Sequence, residues 1–252
     1  MRTALLPTLY LALLVYGCDG AKERYEDVNK LRALGVLSDK AVVEPSTAAT
    51  PQLVSLTFYA AQPHGEVITA EAYQDTSSSS DDAPATLVID PSSAATEAHS
   101  SFDIYHVKAT LTIPPAEALI FSGLNNNATV QYGVKLTSKA NGSQNIVGNV
   151  VVFAPGSPQL TALAFLPTVK ITTPTKSAAV TGSQDLNAAA ATTGDETLRL
   201  GWFTSSGEIK NRNAAATTWD PKKTTGGITL VVTVRGAKTG AFALDVIDFT
   251  AN

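Results

Sequence analysis

Phe102–Ile113 reads as the clearest strand of the chain, alternating from Tyr105 onward, and it stops at Pro114-Pro115. Tyr105, Val107, Ala109, Leu111 and Ile113 fall on one side of that alternation. Ile104, His106, Lys108, Thr110 and Thr112 fall on the other. Successive side chains of a strand point to opposite faces, so the period of two predicts a strand with a core face and a polar face. Proline removes a ladder donor and ends it. A strand of this kind needs paired neighbours and a second layer over its apolar face.

The rest of the chain supplies them. Strands are predicted at Leu31–Leu37, Leu53–Ala60, Gly65–Tyr73 and Ala85–Ile89, the last closed by Asp90-Pro91. Val67, Thr69, Glu71 and Tyr73 share one face of the third. Thr129–Leu136 and Ile146–Phe153 read as a hairpin around Lys139-Ala140-Asn141-Gly142, because Asn-Gly favours the tight turns that join twisted strands. Gln159–Phe165 reads as a further strand. Thr76–Ala85 and Pro91–Ser101 carry little apolar residue beyond alanine and read as exposed loops. A fresh strand begins between Pro167 and Pro174. After it, strands are expected at Asp185–Ala190, Thr197–Phe203, Gly207–Ile209, Ile228–Arg235 and Ala241–Phe249, with no helical period of useful length. Many short strands with regular turns predict an all-β protein of two tandem sandwiches, residues 31–167 and 168–252.

Charge narrows the partners. Only 16% of residues are charged and the formal net charge is −4. That is no footprint for nucleic acid, which needs a clustered basic surface. It also gives no attraction to anionic lipid headgroups, so any membrane attachment has to come from a lipid or a span.

The N-terminus offers a lipid. Met1-Arg2-Thr3 is followed by an apolar run from Ala4 to Val15, too short to span a bilayer and of the length of a secretory signal core. The run ends Leu14-Val15-Tyr16-Gly17-Cys18-Asp19, and Cys18 is the single cysteine of the chain. This segment resembles the bacterial lipobox, with Val15, Gly17 and Cys18 at its defining positions and the bulky Tyr16 between them. The resemblance implies a signal peptide over residues 1–17, cleavage after Gly17, and acyl chains on Cys18, of the palmitate type. The protein would then be anchored to a bacterial membrane, the outer one favoured. Asp19 resembles an inner-membrane retention signal used by some Gram-negative lipoproteins. Several chains hold a membrane where one does so only marginally. Cleavage removes Arg2 and leaves a net charge of −5. Residues 18–30 are polar and read as a solvated tether.

A second resemblance lies in the C-terminal third. Leu198-Arg199-Leu200-Gly201-Trp202-Phe203 with the following Ser205-Ser206-Gly207, then Thr217-Thr218-Trp219-Asp220-Pro221, then Gly227–Arg235, is similar to the strand and turn order of bacterial PKD-like and immunoglobulin-like domains. It implies an immunoglobulin-like sandwich over Thr168–Asn252 with Trp202 buried between its sheets. Where that family usually carries an acidic residue after the last valine, this chain has Arg235-Gly236-Ala237. For Trp219 the alternative to a core position is a ligand platform.

Chemistry-bearing patterns are sparse. His64, His99 and His106 share no metal-binding spacing and read as solvated surface residues. No nucleophile elbow, phosphate loop or dinucleotide fingerprint occurs. Asp81-Asp82 lacks the ordered spacing of a calcium loop. Asn127 and Asn141 open glycosylation-type triplets. The sequence therefore predicts no catalytic residue, metal or cofactor, and one modified residue, Cys18. The function it favours is a lipid-anchored envelope protein that binds a protein or glycan partner or acts as a spacer. A secreted hydrolase or its accessory domain, and an envelope-assembly factor, are the alternatives.

Overall fold

The computed structural model describes residues 28–45, 51–73, 86–121 and 127–252. The signal-like segment, Cys18 and Asp81-Asp82 lie outside the described residues.

Among the described residues, sixteen strands form four four-stranded sheets. In chain order the first eight are β1 (Arg32–Ser38), β2 (Val42–Val43), β3 (Gln52–Gln62), β4 (Ile68–Ala72), β5 (Thr86–Ala98), β6 (Asp103–Ile113), β7 (Asn127–Ser138) and β8 (Gly142–Phe153). The second eight are β9 (Thr168–Thr173), β10 (Ala179–Val180), β11 (Gln184–Ala191), β12 (Leu198–Thr204), β13 (Glu208–Ile209), β14 (Ala216–Asp220), β15 (Gly226–Gly236) and β16 (Phe242–Ala251).

The sheets are ordered β1-β3-β6-β5 and β2-β8-β7-β4 in the first unit, and β13-β14-β11-β9 and β10-β16-β15-β12 in the second. These orders are the same topology used twice. In each unit the first strand joins one sheet, and a two-residue strand then crosses to pair in parallel with the last strand of the other: Val42-Val43 with Val151-Val152, Ala179-Val180 with Thr250-Ala251. Both units are immunoglobulin-like β-sandwiches, one sheet pair each.

Each sandwich has its own core. In the first, the predicted face of β6 (Tyr105, Val107, Ala109, Leu111, Ile113) packs with Phe58, Val130, Val134, Leu136 and Val150. In the second, Trp202 and Trp219 are both fully enclosed; their indole N–H groups donate to the carbonyls of Ala214 (2.8 Å) and Ser206 (2.9 Å). Trp219 also meets Phe249 edge to face at 5.2 Å between ring centres. Indoles placed this way supply a large buried area with their one donor satisfied. Neither tryptophan is a ligand platform.

Three local readings are corrected. Gln159–Ala162 is a single helical turn rather than a strand. Pro158, with its fixed φ of −63°, leads into it, and Leu160 and Leu163 lie three residues apart on one face, over Val42, Val151 and Phe153. The Pro91–Ser101 segment is mostly strand, because β5 continues to Ala98. The strand passes Pro91 through a bulge in which Asp90 accepts from the Ser92 amide (3.0 Å) and hydroxyl (2.6 Å). An edge strand tolerates proline because its outward donor is not needed. Thr217-Thr218-Trp219 belongs to a strand, β14, that the sequence reading passed over.

Candidate functional site

The feature that sets this molecule apart from two beads on a string is the contact between its sandwiches. The outward face of β1-β3-β6 lies against the outward face of β12-β15-β16. Between them sits an apolar cluster of Val28, Leu34, Ala61, Phe102, Ile104, Phe203, Val231 and Phe242, flanked by Leu37, Tyr59, Leu244 and Val246. Phe242 rests directly on Gly35, where a Cβ atom would fall within its ring. The expected tether does not stay in solvent to its end: Val28 is buried in this seam and its amide donates to the Thr204 carbonyl at 3.0 Å.

β15 runs along the seam, and its odd-numbered residues face the first sandwich. Thr229 marks one end and Arg235 the other, about 20 Å apart at roughly 3.3 Å per residue.

At the Thr229 end polar groups of the two sandwiches hydrogen-bond across the seam. The Ser101 amide donates to Thr229 Oγ1 (3.0 Å), and the Thr229 amide donates back to Ser101 Oγ (2.8 Å). Ser205 Oγ donates to Ser101 Oγ at 2.6 Å. Asp248 Oδ1 accepts from the Ser100 amide (3.0 Å) and the Thr229 hydroxyl (2.8 Å), and its Oδ2 meets His99 Nδ1 at 3.0 Å. Burial works to raise the Asp248 carboxyl. Hydrogen bonds from Ser100, Thr229 and His99 together outweigh it and hold the group below its ordinary value. The residue types are those of a Ser-His-Asp triad, but the connections are not. Ser101 Oγ is engaged with Thr229 and Ser205, and His99 Nε2 is buried without a partner, so no described hydroxyl lies on the base. The network is a clamp between domains.

The histidines therefore correct the sequence reading. The side chains of His99 and His106 are only 16% and 20% exposed, each beside a carboxylate, Asp248 and Glu97. His64 is half exposed and meets the buried Asp103 at 2.7 Å, which also takes the Gly65 amide and so closes the β3–β4 turn. Among the described residues no three metal-ligating side chains gather, and no helix is long and apolar enough to cross a membrane.

At the Arg235 end the seam opens into a cleft of about 350 Å³, between β8 and the β15–β16 turn. β2 pairs β8 only at Val151 and Val152, so Val147–Asn149 is a sheet edge open to the cleft. Arg199 and Arg235 stand directly opposite each other on β12 and β15, on the same side of the sheet. Like charges in that position repel. No hydrogen bond or ion pair among the described residues relieves either. The neighbouring acids are committed elsewhere. Asp195 holds Lys238 at 2.7 Å. Glu196 accepts from the Lys238 amide (2.6 Å), the Thr239 amide (3.2 Å) and the Thr239 hydroxyl (2.8 Å), which fixes the turn.

Tyr132 completes the cleft from the first sandwich. Its ring is 91% buried in the core, edge-on to Phe58, and its hydroxyl comes out past Gly148, where a Cβ atom would collide with it. That hydroxyl has no hydrogen-bond partner among the described residues. Burial pushes the Tyr132 hydroxyl up to about 12, against the pull of the nearby Arg235 charge.

No protein-family profile and no curated protein sequence matches the chain. Solved structures resemble it across most of its length. A structure of Clostridium thermocellum CbhA fibronectin(III)-like modules is 17% identical, with 86% of this chain and 94% of that one covered and a TM-score of 0.31. Titin Ig tandem domains A164-A165 are 9% identical, with 88% and 98% covered and a TM-score of 0.23. Drosophila N-cadherin EC1-3 is 12% identical, with 90% and 68% covered and a TM-score of 0.28. Likeness at this level goes no further than the sandwich type, which the strand order already defines.

Proposed function

We propose that the chain is a lipid-anchored binding module of the bacterial cell envelope, in which two immunoglobulin-like sandwiches of PKD-like descent act as one rigid body. The observation that carries the module reading is the seam: its apolar cluster and polar clamp join the two sandwiches face to face, so ligand-facing groups of one are held in fixed register with those of the other. A string of independent spacers needs no such contact. The anchor reading rests on Val15-Tyr16-Gly17-Cys18. Acyl chains on Cys18 place the attachment ten residues before Val28. Ten residues reach at most about 35 Å, so the seam would lie within that distance of the membrane, with both sandwiches hanging from one point. The outer membrane is the favoured address, and an envelope glycan or protein the favoured partner.

Expression of wild type and Cys18→Ala in a bacterial host tests the anchor. Wild type is expected as an acylated chain that begins at Cys18 and partitions with membranes. The variant is expected to be unacylated and not cut after Gly17. Intact mass and membrane fractionation read both, and an unacylated, freely released wild type sinks the anchor reading.

A further inference from the structure

We propose that the cleft at the Arg235 end of the seam binds a carboxylate-bearing sugar, one ring or two of an acidic glycan. This rests on the binding part of the reading above and is independent of the anchor.

Three observations on different elements point into the same space. Arg199 and Arg235 form an unrelieved pair of guanidiniums, the geometry that takes a carboxylate through parallel N–H donors. Tyr132 offers a hydroxyl that is otherwise without a partner and is carried on a ring packed in the core, so its position is set before any ligand arrives. Asn127, Thr129 and Asn149 line the same cleft with uncharged donors and acceptors suited to sugar hydroxyls.

The alternatives fit less well. A phosphate is commonly held by successive backbone amides in a turn. The turn that could do this here already gives its Lys238 and Thr239 amides to Glu196. An extended peptide needs a long edge and side-chain pockets. The open edge of β8 in the cleft is short, and a cleft of about 350 Å³ lies at the small-molecule end of the range, roughly 300–1,000 Å³. A like-charged cross-strand pair opposes folding, and an anion held between the two arginines would relieve that repulsion.

Calorimetric titration of the purified full chain tests this with four probes: a glucuronate disaccharide, the matching neutral glucose disaccharide, inorganic phosphate and a short polyglutamate peptide. The glucuronate disaccharide is expected to bind, more weakly as salt rises, and the glucose disaccharide is not. R235Q and R199Q are each expected to lose about 10–100-fold in affinity, and Y132F about tenfold. Thermal melting is expected to show all three variants folded near or above the wild-type midpoint, because R235Q and R199Q relieve a like-charge pair and Y132F removes a hydroxyl that makes no bond within the protein. No binding of the uronate by wild type overturns the proposal. So does equal binding by R235Q and R199Q, or binding of phosphate or polyglutamate in preference to the uronate. Failure of Cys18 acylation leaves these titrations unchanged, so the anchor and the cleft fail separately.

Discussion

The two ends of β15 solve opposite problems with similar materials. Around Thr229 the polar groups of both sandwiches close on one another, and the acid there, Asp248, accepts from three donors. Around Arg235 two cations face each other without an acid, and the Tyr132 hydroxyl faces the cleft with no protein partner among the described residues. The strand, the sheet and the seam are common to both. A satisfied polar cluster at a domain contact fixes geometry, and its removal costs stability. Two guanidiniums that face each other across a strand pair repel, by up to about 1 kcal/mol, a cost that an anion between them would remove. On that difference rests our proposal that the Thr229 end is structural and the Arg235 end binds a ligand.

Changes along the seam sharpen this contrast. The largest effect is expected from Phe242→Ala, which empties the centre shared by both ends. Truncation of an enclosed phenylalanine costs about 3–5 kcal/mol. Chemical denaturation should show that loss, and small-angle scattering should show the sandwiches moving apart, with uronate binding lost as well. A variant that kept its compact dimensions would mean the seam is not held by its apolar cluster. Next comes Asp248→Asn, which weakens the clamp and is expected to cost about 2 kcal/mol, since it weakens hydrogen bonds to a charged acceptor. Affinity at the cleft should hardly change while the seam stays closed. The clamp also has a pH signature. The folded protein holds Asp248 below its ordinary value of 3.8, so the stabilisation is complete above that value and is lost as pH falls through the lower folded value. Acid unfolding below about pH 4 should therefore be shallower in Asp248→Asn than in wild type. The smallest effect has the opposite sign. Arg235→Gln relieves the cross-strand repulsion and should stabilise the free protein by about 0.5 kcal/mol, read from its melting midpoint. A loss of stability instead would place Arg235 among the structural residues.

Much of the fold was legible because burial on one face leaves a period of two. The core face of β6 and the hairpin of β7 and β8 could be read residue by residue, and Gly142 takes the positive φ of 73° that its turn needs. Errors fell where the period failed. Gln159–Ala162 is too short for any period to register. Pro91 hides a strand that survives it through a bulge. The seam did leave a mark. Seven consecutive residues of β15, Ile228 to Val234, are buried, and the run Leu230-Val231-Val232, with only the uncharged Thr229 and Thr233 beside it, departs from alternation as a strand covered on both faces does. Ile104 and Phe102 carry the same mark on the other side. Read only as a long strand, the run gives the sheet; read as doubly covered, it gives the partner layer.

The cleft left no such trace. Arg199 and Arg235 stand 36 positions apart, and Tyr132 belongs to the other sandwich. Each looks ordinary in its own strand: two exposed arginines and a core tyrosine. The sequence by itself determined the class of fold, the core face of β6, the burial of Trp202 and the candidate acylation at Cys18, because those depend on local period and local motif. Strand register, the packing of one sandwich on the other and the commitment of Glu196 to its turn decided the rest. They determine which charges meet and which remain unpaired, and pairings between residues distant in sequence are fixed only when the chain is folded.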